Sequence, residues 1–218
     1  MQGLSRAALL KRYRRYSNLR KDIQMDALGH VSQSSFLGYA KQIGLSDGKV
    51  LFTDDEIELT LAYDLAVYTA PAGRSRAIDR CAKKRLSAVP LPDEMLVLRA
   101  LQASQFSIFC VIGRCEPAGV LFEDLLRGGT VVVLDEGLEQ SVEPHEIFVM
   151  RVAPFDGFAI TCGAIVPINS EIFDAFADVL TADVSEAGLA ALADDRRFAA
   201  SLYQCAISFG MTDFVAYL

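Results

Sequence analysis

The sequence predicts an α+β fold: a small antiparallel sheet of five strands, curled or closed into a barrel over about 106–168, flanked by N-terminal and C-terminal helices. Three observations predict it. Before Phe106 the apolar residues recur at spacings of three and four, the mark of amphipathic helices. From Phe106 the chain turns to short runs rich in Val, Ile and Phe, bounded by Gly, Pro or acidic turns. No helical pattern separates these runs, and parallel strands need crossovers of about a dozen residues or more.

Residues 4–28 read as the first helix, with Leu9, Tyr13, Tyr16, Leu19, Ile23 and Ala27 on one face. Lys11, Arg14, Arg15 and Lys21 fall on the other face, while Arg20 falls among the apolar residues. A second helix over 33–43 ends at Gly44. Lys49–Phe52 is a candidate strand, and Thr53 to Glu56 a capping box for a helix reaching Tyr68. A helix near 74–86 follows, and Pro92 suits the first position of one that runs to Ser104.

The expected strands are Phe106–Cys115, Gly119–Glu123, Thr130–Asp135, Glu146–Ala153 and Phe158–Pro167, with a hairpin turn at Gly128-Gly129. Pro154 is expected to end its strand, and Gly157 and Gly163 to bend the sheet. Asn169 caps an expected helix to Leu180, Ser185 one to Asp194, and Phe198 to Phe209 mark another before Gly210. Thr212–Leu218 adds one more turn. The chain then divides into a helical region 1–105, a β module 106–168 and helices over 169–218, packed as one unit.

Composition narrows the function. Hydrophobic residues make up 52% of 218, which is globular rather than disordered. No apolar run reaches membrane-spanning length and no apolar stretch follows the basic N-terminus, so a soluble, cytoplasmic protein with no membrane contact is expected. Five cysteines without a CxxC pair read as reduced, mostly buried thiols. Dinucleotide, P-loop, α/β-hydrolase and zincin motifs are absent, so no cofactor, no metal and no catalytic residue is assigned. His145 and His30 read as turn or helix-end residues. The acids Glu123, Asp124, Asp135, Glu136, Glu139, Glu143, Glu146 and Asp156 read as solvated strand ends.

Charge is the most informative feature. Seven of the 21 Lys and Arg lie in residues 1–21, which hold no acid, leaving 14 basic against all 28 acidic residues elsewhere. Either the helix is a basic arm for an acidic partner, or it docks on its own acidic domain. On the first reading Lys11, Arg14, Arg15 and Lys21 are the partner-binding residues, facing a protein or, as the alternative, nucleic-acid phosphates. Tyr13 and Tyr16 lie on the apolar stripe, where packing accounts for them.

Leu98 to Phe109, Gly119 to Leu126, Asp135 to Leu138, Arg151 to Pro154, Gly157-Phe158 and Thr161 to Ala164 together resemble a family of uncharacterised bacterial proteins, over roughly 40–170. The resemblance implies no activity and carries over no catalytic residue. A non-enzymatic protein-interaction or binding module is the reading that fits, with a nucleic-acid-associated protein or an enzyme with a scattered site as alternatives. A homodimer is expected from the apolar C-terminal helices.

Overall fold

The computed structural model describes residues 4–88, 90–169, 172 and 186–211. The first helix, α1 (Arg6–Leu28), starts where the Ser5 hydroxyl accepts the Ala8 amide. It is followed by α2 (Gln33–Gln42), α3 (Glu56–Tyr68), α4 (Ala77–Leu86) and α5 (Pro92–Gln102). The strands are β1 (Gln105–Arg114), β2 (Val120–Asp124), β3 (Thr130–Val133), β4 (Ile147–Phe155) and β5 (Phe158–Ile168), with α6 (Glu136–Ser141) between β3 and β4. Helices α7 (Glu186–Asp194) and α8 (Arg196–Ser208) close the described chain. The helix expected over 169–180 and the turn at 212–218 lie outside the described residues, apart from Asn169, whose side chain accepts the Ile172 amide.

The five strands close into a ring in the order β1-β2-β3-β5-β4. This order, with one helix between β3 and β4, is the connectivity of the small Greek-key barrels of the OB type. The all-antiparallel expectation is corrected at one seam. Strand β3 runs parallel to β5, pairing Val133 with Ala159. The required crossover exists after all, because α6 and β4 together supply it.

Strand alternation fills the ring. Phe109, Val111, Phe122, Val133, Phe148, Met150 and Val152 point inward, and Leu138 of α6 joins them as a plug. The outer faces of β4 and β5 are also buried, because α1, α4 and α5 pack on Ala153, Phe158, Ile160 and Cys162. Helices α2, α3 and α8 cover Phe106, Ile108, Val149, Ala164 and Val166. A buried ion pair bolts three of these layers together. Arg151 of β4 donates to Asp64 of α3 through Nε at 2.9 Å and Nη2 at 3.1 Å. Tyr203 of α8 donates to the same carboxylate at 3.1 Å, and the guanidinium lies 4.7 Å from the Tyr68 ring centre.

Several local expectations are corrected. Lys49–Phe52 is a loop, joined only by the bridge Ser46–Leu51, because Asp47 turns the chain by accepting the Lys49 and Val50 amides. Asp55 rather than Thr53 caps α3, accepting from Ile57 and Glu58, while the Thr53 hydroxyl accepts the Asp55 amide just before the helix. Helix α4 begins at Ala77 rather than 74. Strand β4 passes through Pro154 to Phe155. Its β1 partner starts only at Gln105, opposite Val152, so the missing amide hydrogen of Pro154 faces no strand there. Helix α6 was not anticipated, since six residues give too short a period to read.

The glycine expectations hold at the hairpin, where Gly128 and Gly129 have φ of 74° and 80°. They hold also at Gly163, where β5 bulges against β4 and the pairing passes from Met150–Ile165 to Val152–Thr161. A third glycine is sterically locked. At Gly119, φ 101°, a Cβ would stand 2.8 Å from the Val133 carbonyl and 2.9 Å from Leu134 Cδ2. Gly119→Ala is expected to cost roughly 2–3 kcal/mol in a denaturant melt, against about 1 kcal/mol for Gly128→Ala, where the space is open.

Candidate functional site

Three of the seven basic residues of α1 are turned onto the chain's own acids. Arg14 grips Glu136 with two bonds of 2.9 and 2.7 Å. Arg15 lies 2.6 Å from Asp93, and Arg6 reaches Glu139 and the Pro117 carbonyl. Of the four residues expected to contact a partner, Arg14 and Arg15 are therefore engaged within the chain. Lys11 and Lys21 are exposed and have no ion pair among the described residues. Arg14 holds the Glu136 carboxyl below its ordinary range, and Arg85 does the same for Asp26, tying α4 to α1 at 2.8 Å.

In OB-type barrels ligands usually sit on the β2–β3 face and the loops β1–β2 and β4–β5. Here α1 occupies that loop end. The Tyr16 ring stacks 4.9 Å from Phe155 and 6.5 Å from Phe158, the two sides of the β4–β5 turn. Arg6 seals the β1–β2 loop. The outward residues of β2 and β3 are Leu121, Glu123, Thr130 and Val132, none of them basic or aromatic. That surface lacks the stacking and phosphate-binding groups a single strand of nucleic acid requires.

Docking α1 across the barrel opens a cleft along its other edge. The cleft holds about 480 Å³, between α1, the first two turns of α3, the β3–α6 junction and the bulged part of β5. Tyr13, Ser17 and Arg20 enter it from α1 at spacings of four and three, so they share one helical face. Asp135 and Thr161 form the opposite wall. Asp135 caps α6 by accepting the Gly137 and Leu138 amides, and its second oxygen accepts from the Thr161 hydroxyl at 2.8 Å. Its side chain is thus fixed in place by three donors, and it is buried.

Arg20 stands apart from every other arginine described. It is 8% exposed, and no carboxylate among the described residues comes within 4.0 Å. Among the described residues its only acceptors are neutral: Gln24 Oε1 at 3.2 Å and Ser17 Oγ at 3.3 Å, while its Nε is buried with no acceptor among them. A guanidinium cannot shed its proton, so the cation stays, and burying it uncompensated is costly. The bulge at Gly163 makes room for it, since a Cβ there would come 3.1 Å from Arg20 Nη1. Gln24 fixes the helix in this position by donating to the Cys162 carbonyl at 2.6 Å and to Tyr68 at 3.1 Å.

The Tyr13 hydroxyl keeps its proton near neutrality. Burial, and then the charge of Asp135, push the Tyr13 hydroxyl up to about 12. The sign of the linkage follows. The unfolded tyrosine ionises near pH 10, so the contribution of Tyr13 is whole below that pH and is lost as pH rises towards 12. Tyr13→Phe is expected to flatten the fall in Tm between pH 9.5 and about 12, with little change at pH 7. Thermal melts across that range check it.

The sequence reading had placed Tyr13 in the packing stripe, Asp135 among solvated acids and Gly163 among the bends. Only the position of Arg20, a cation inside an apolar stripe, signalled the site. His145 is exposed, with φ 74° at the turn before β4, and His30 offers its carbonyl to Arg80 at 2.8 Å; neither joins the cleft. No cluster of metal-ligating side chains is found among the described residues, and no described helix is long and apolar enough to cross a membrane.

A family of unknown function, DUF7986, matches residues 7–185. The match begins well before the 40–170 span of the resemblance and takes in α1 and every residue of the cleft. Comparison with curated proteins and with solved structures finds no match.

Proposed function

We propose that this chain, a member of the DUF7986 family, is a non-enzymatic binding module that holds a small anionic ligand against Arg20. One observation carries the reading: a buried guanidinium without a carboxylate partner among the described residues, in the wall of an open cleft. Such a fork matches a carboxylate or phosphate through two parallel hydrogen bonds. Tyr13, Ser17 and Thr60 supply neutral groups around it, the usual complement of a small-molecule site. The held proton of Tyr13 and the fixed carboxylate of Asp135 favour binding without turnover.

A thermal-shift screen of organic anions tests it. A ligand at about one hundred times its Kd stabilises by about 2.7 kcal/mol, roughly 5–10 °C for a chain of this size. That shift is expected for the native protein and is expected to vanish in Arg20→Met. Equal shifts in both proteins would overturn the reading.

The partner-binding reading of α1 keeps a narrower basis in Lys11 and Lys21. Its test is salt-dependent capture of a protein or of DNA and RNA by the full chain and by Lys11→Glu/Lys21→Glu. Binding that is the same in both removes these residues from the account.

A further inference from the structure

The anion site does not end at Arg20. On its far side a second hollow of about 330 Å³ runs between α1 and α3. It shares Arg20, Lys21, Thr60, Gly163 and Ala164 with the polar cleft, so the two adjoin at Arg20. Its character is opposite: Met25 and Leu28 of α1 face Tyr63 and Val67 of α3. Met25 is 69% exposed and Tyr63 39%, an uncovered apolar pair at the mouth of the hollow. A guanidinium thus sits at the junction of a polar chamber and a carbon-lined groove.

We infer that the ligand is a small amphipathic monocarboxylate, with its head on Arg20 and an alkyl or aryl tail lying between α1 and α3. The inference rests on the anion-receptor reading above and names its ligand class. Charge count selects one negative charge. Arg20 is the buried cation there, Lys21 is exposed, and Asp135 and Glu56 line the polar chamber, where Glu136 is already paired with Arg14. A dianionic phosphate would meet those carboxylates, whereas a monoanion is balanced by one guanidinium. The tail is selected by the groove, since covering Met25, Leu28 and Tyr63 removes apolar surface from water.

The test is a chain-length series on the full protein, followed by NMR titration and calorimetry: acetate, butyrate, hexanoate and octanoate, with octanol and octyl phosphate as controls. Affinity is expected to rise by about fourfold per added methylene until the groove is filled. Octanol and octyl phosphate are expected to bind at least tenfold more weakly than octanoate. Met25→Glu, an exposed position, is expected to weaken octanoate while leaving acetate unchanged, and Arg20→Met to abolish both. Equal binding of acetate and octanoate, lost in Arg20→Met, would overturn the amphipathic ligand and leave the anion receptor standing. Octanol matching octanoate would overturn the carboxylate head, and octyl phosphate matching it would overturn the single charge. No binding by any anion would overturn both readings.

Discussion

Asp64→Asn is expected to cost about 3–5 kcal/mol of folding stability, a fall in Tm of roughly 10 °C. The carboxylate is 5% exposed and accepts three hydrogen bonds at once: two from Arg151 and one from the Tyr203 hydroxyl. Removing its charge leaves the Arg151 guanidinium, 6% exposed, without a counter-ion. The loss lies not in an attraction forgone but in a buried cation left unpaired. The double replacement Asp64→Leu/Arg151→Met is therefore expected to recover most of the single loss. Urea melts of the native protein and these two variants measure it. A single loss under 1 kcal/mol would mean that α3, β4 and α8 are not joined through this pair.

Arg20→Met is expected to do the reverse, and the contrast separates structure from function. Arg20 is also buried, yet among the described residues it has no carboxylate to lose. Replacing it by an apolar chain of similar length removes a desolvated charge and the unmade hydrogen bond of Nε. The unliganded protein is expected to gain about 1–2 kcal/mol. Anion affinity is expected to fall by about 3 kcal/mol, a hundredfold or more. A residue that destabilises the empty protein and is needed for the ligand is the signature of a binding site. If Arg20→Met instead unfolds the chain, Arg20 is a structural cation and the receptor reading fails.

Much of the fold was legible before any coordinates. The five strands, the hairpin at Gly128-Gly129 and the helices of the first hundred residues follow from periodicity and from glycine at positive φ. The parallel β3–β5 seam was not, because it depends on a crossover built from α6 and β4, and α6 is only six residues long. The docking of α1 was legible as one of two alternatives, since a basic helix and an acidic body in one chain attract one another. Which acids receive Arg14 and Arg15 was not, as Glu136 and Asp93 lie far off in sequence. The site itself was half visible. Arg20 breaks an apolar stripe in plain sight, but its meaning depends on what it lacks, and an absent carboxylate partner shows only in three dimensions.

The central claim is that Arg20 receives an anion in the cleft. It is tested most directly by an NMR titration of the isotopically labelled full chain that follows the Arg20 Nε–H resonance. Addition of octanoate is expected to shift that resonance and, with the same saturation curve, the amides of Ser17, Thr161 and Gly163. An unmoved Arg20 Nε–H, or shifts scattered over surface lysines with no common saturation, would contradict the account.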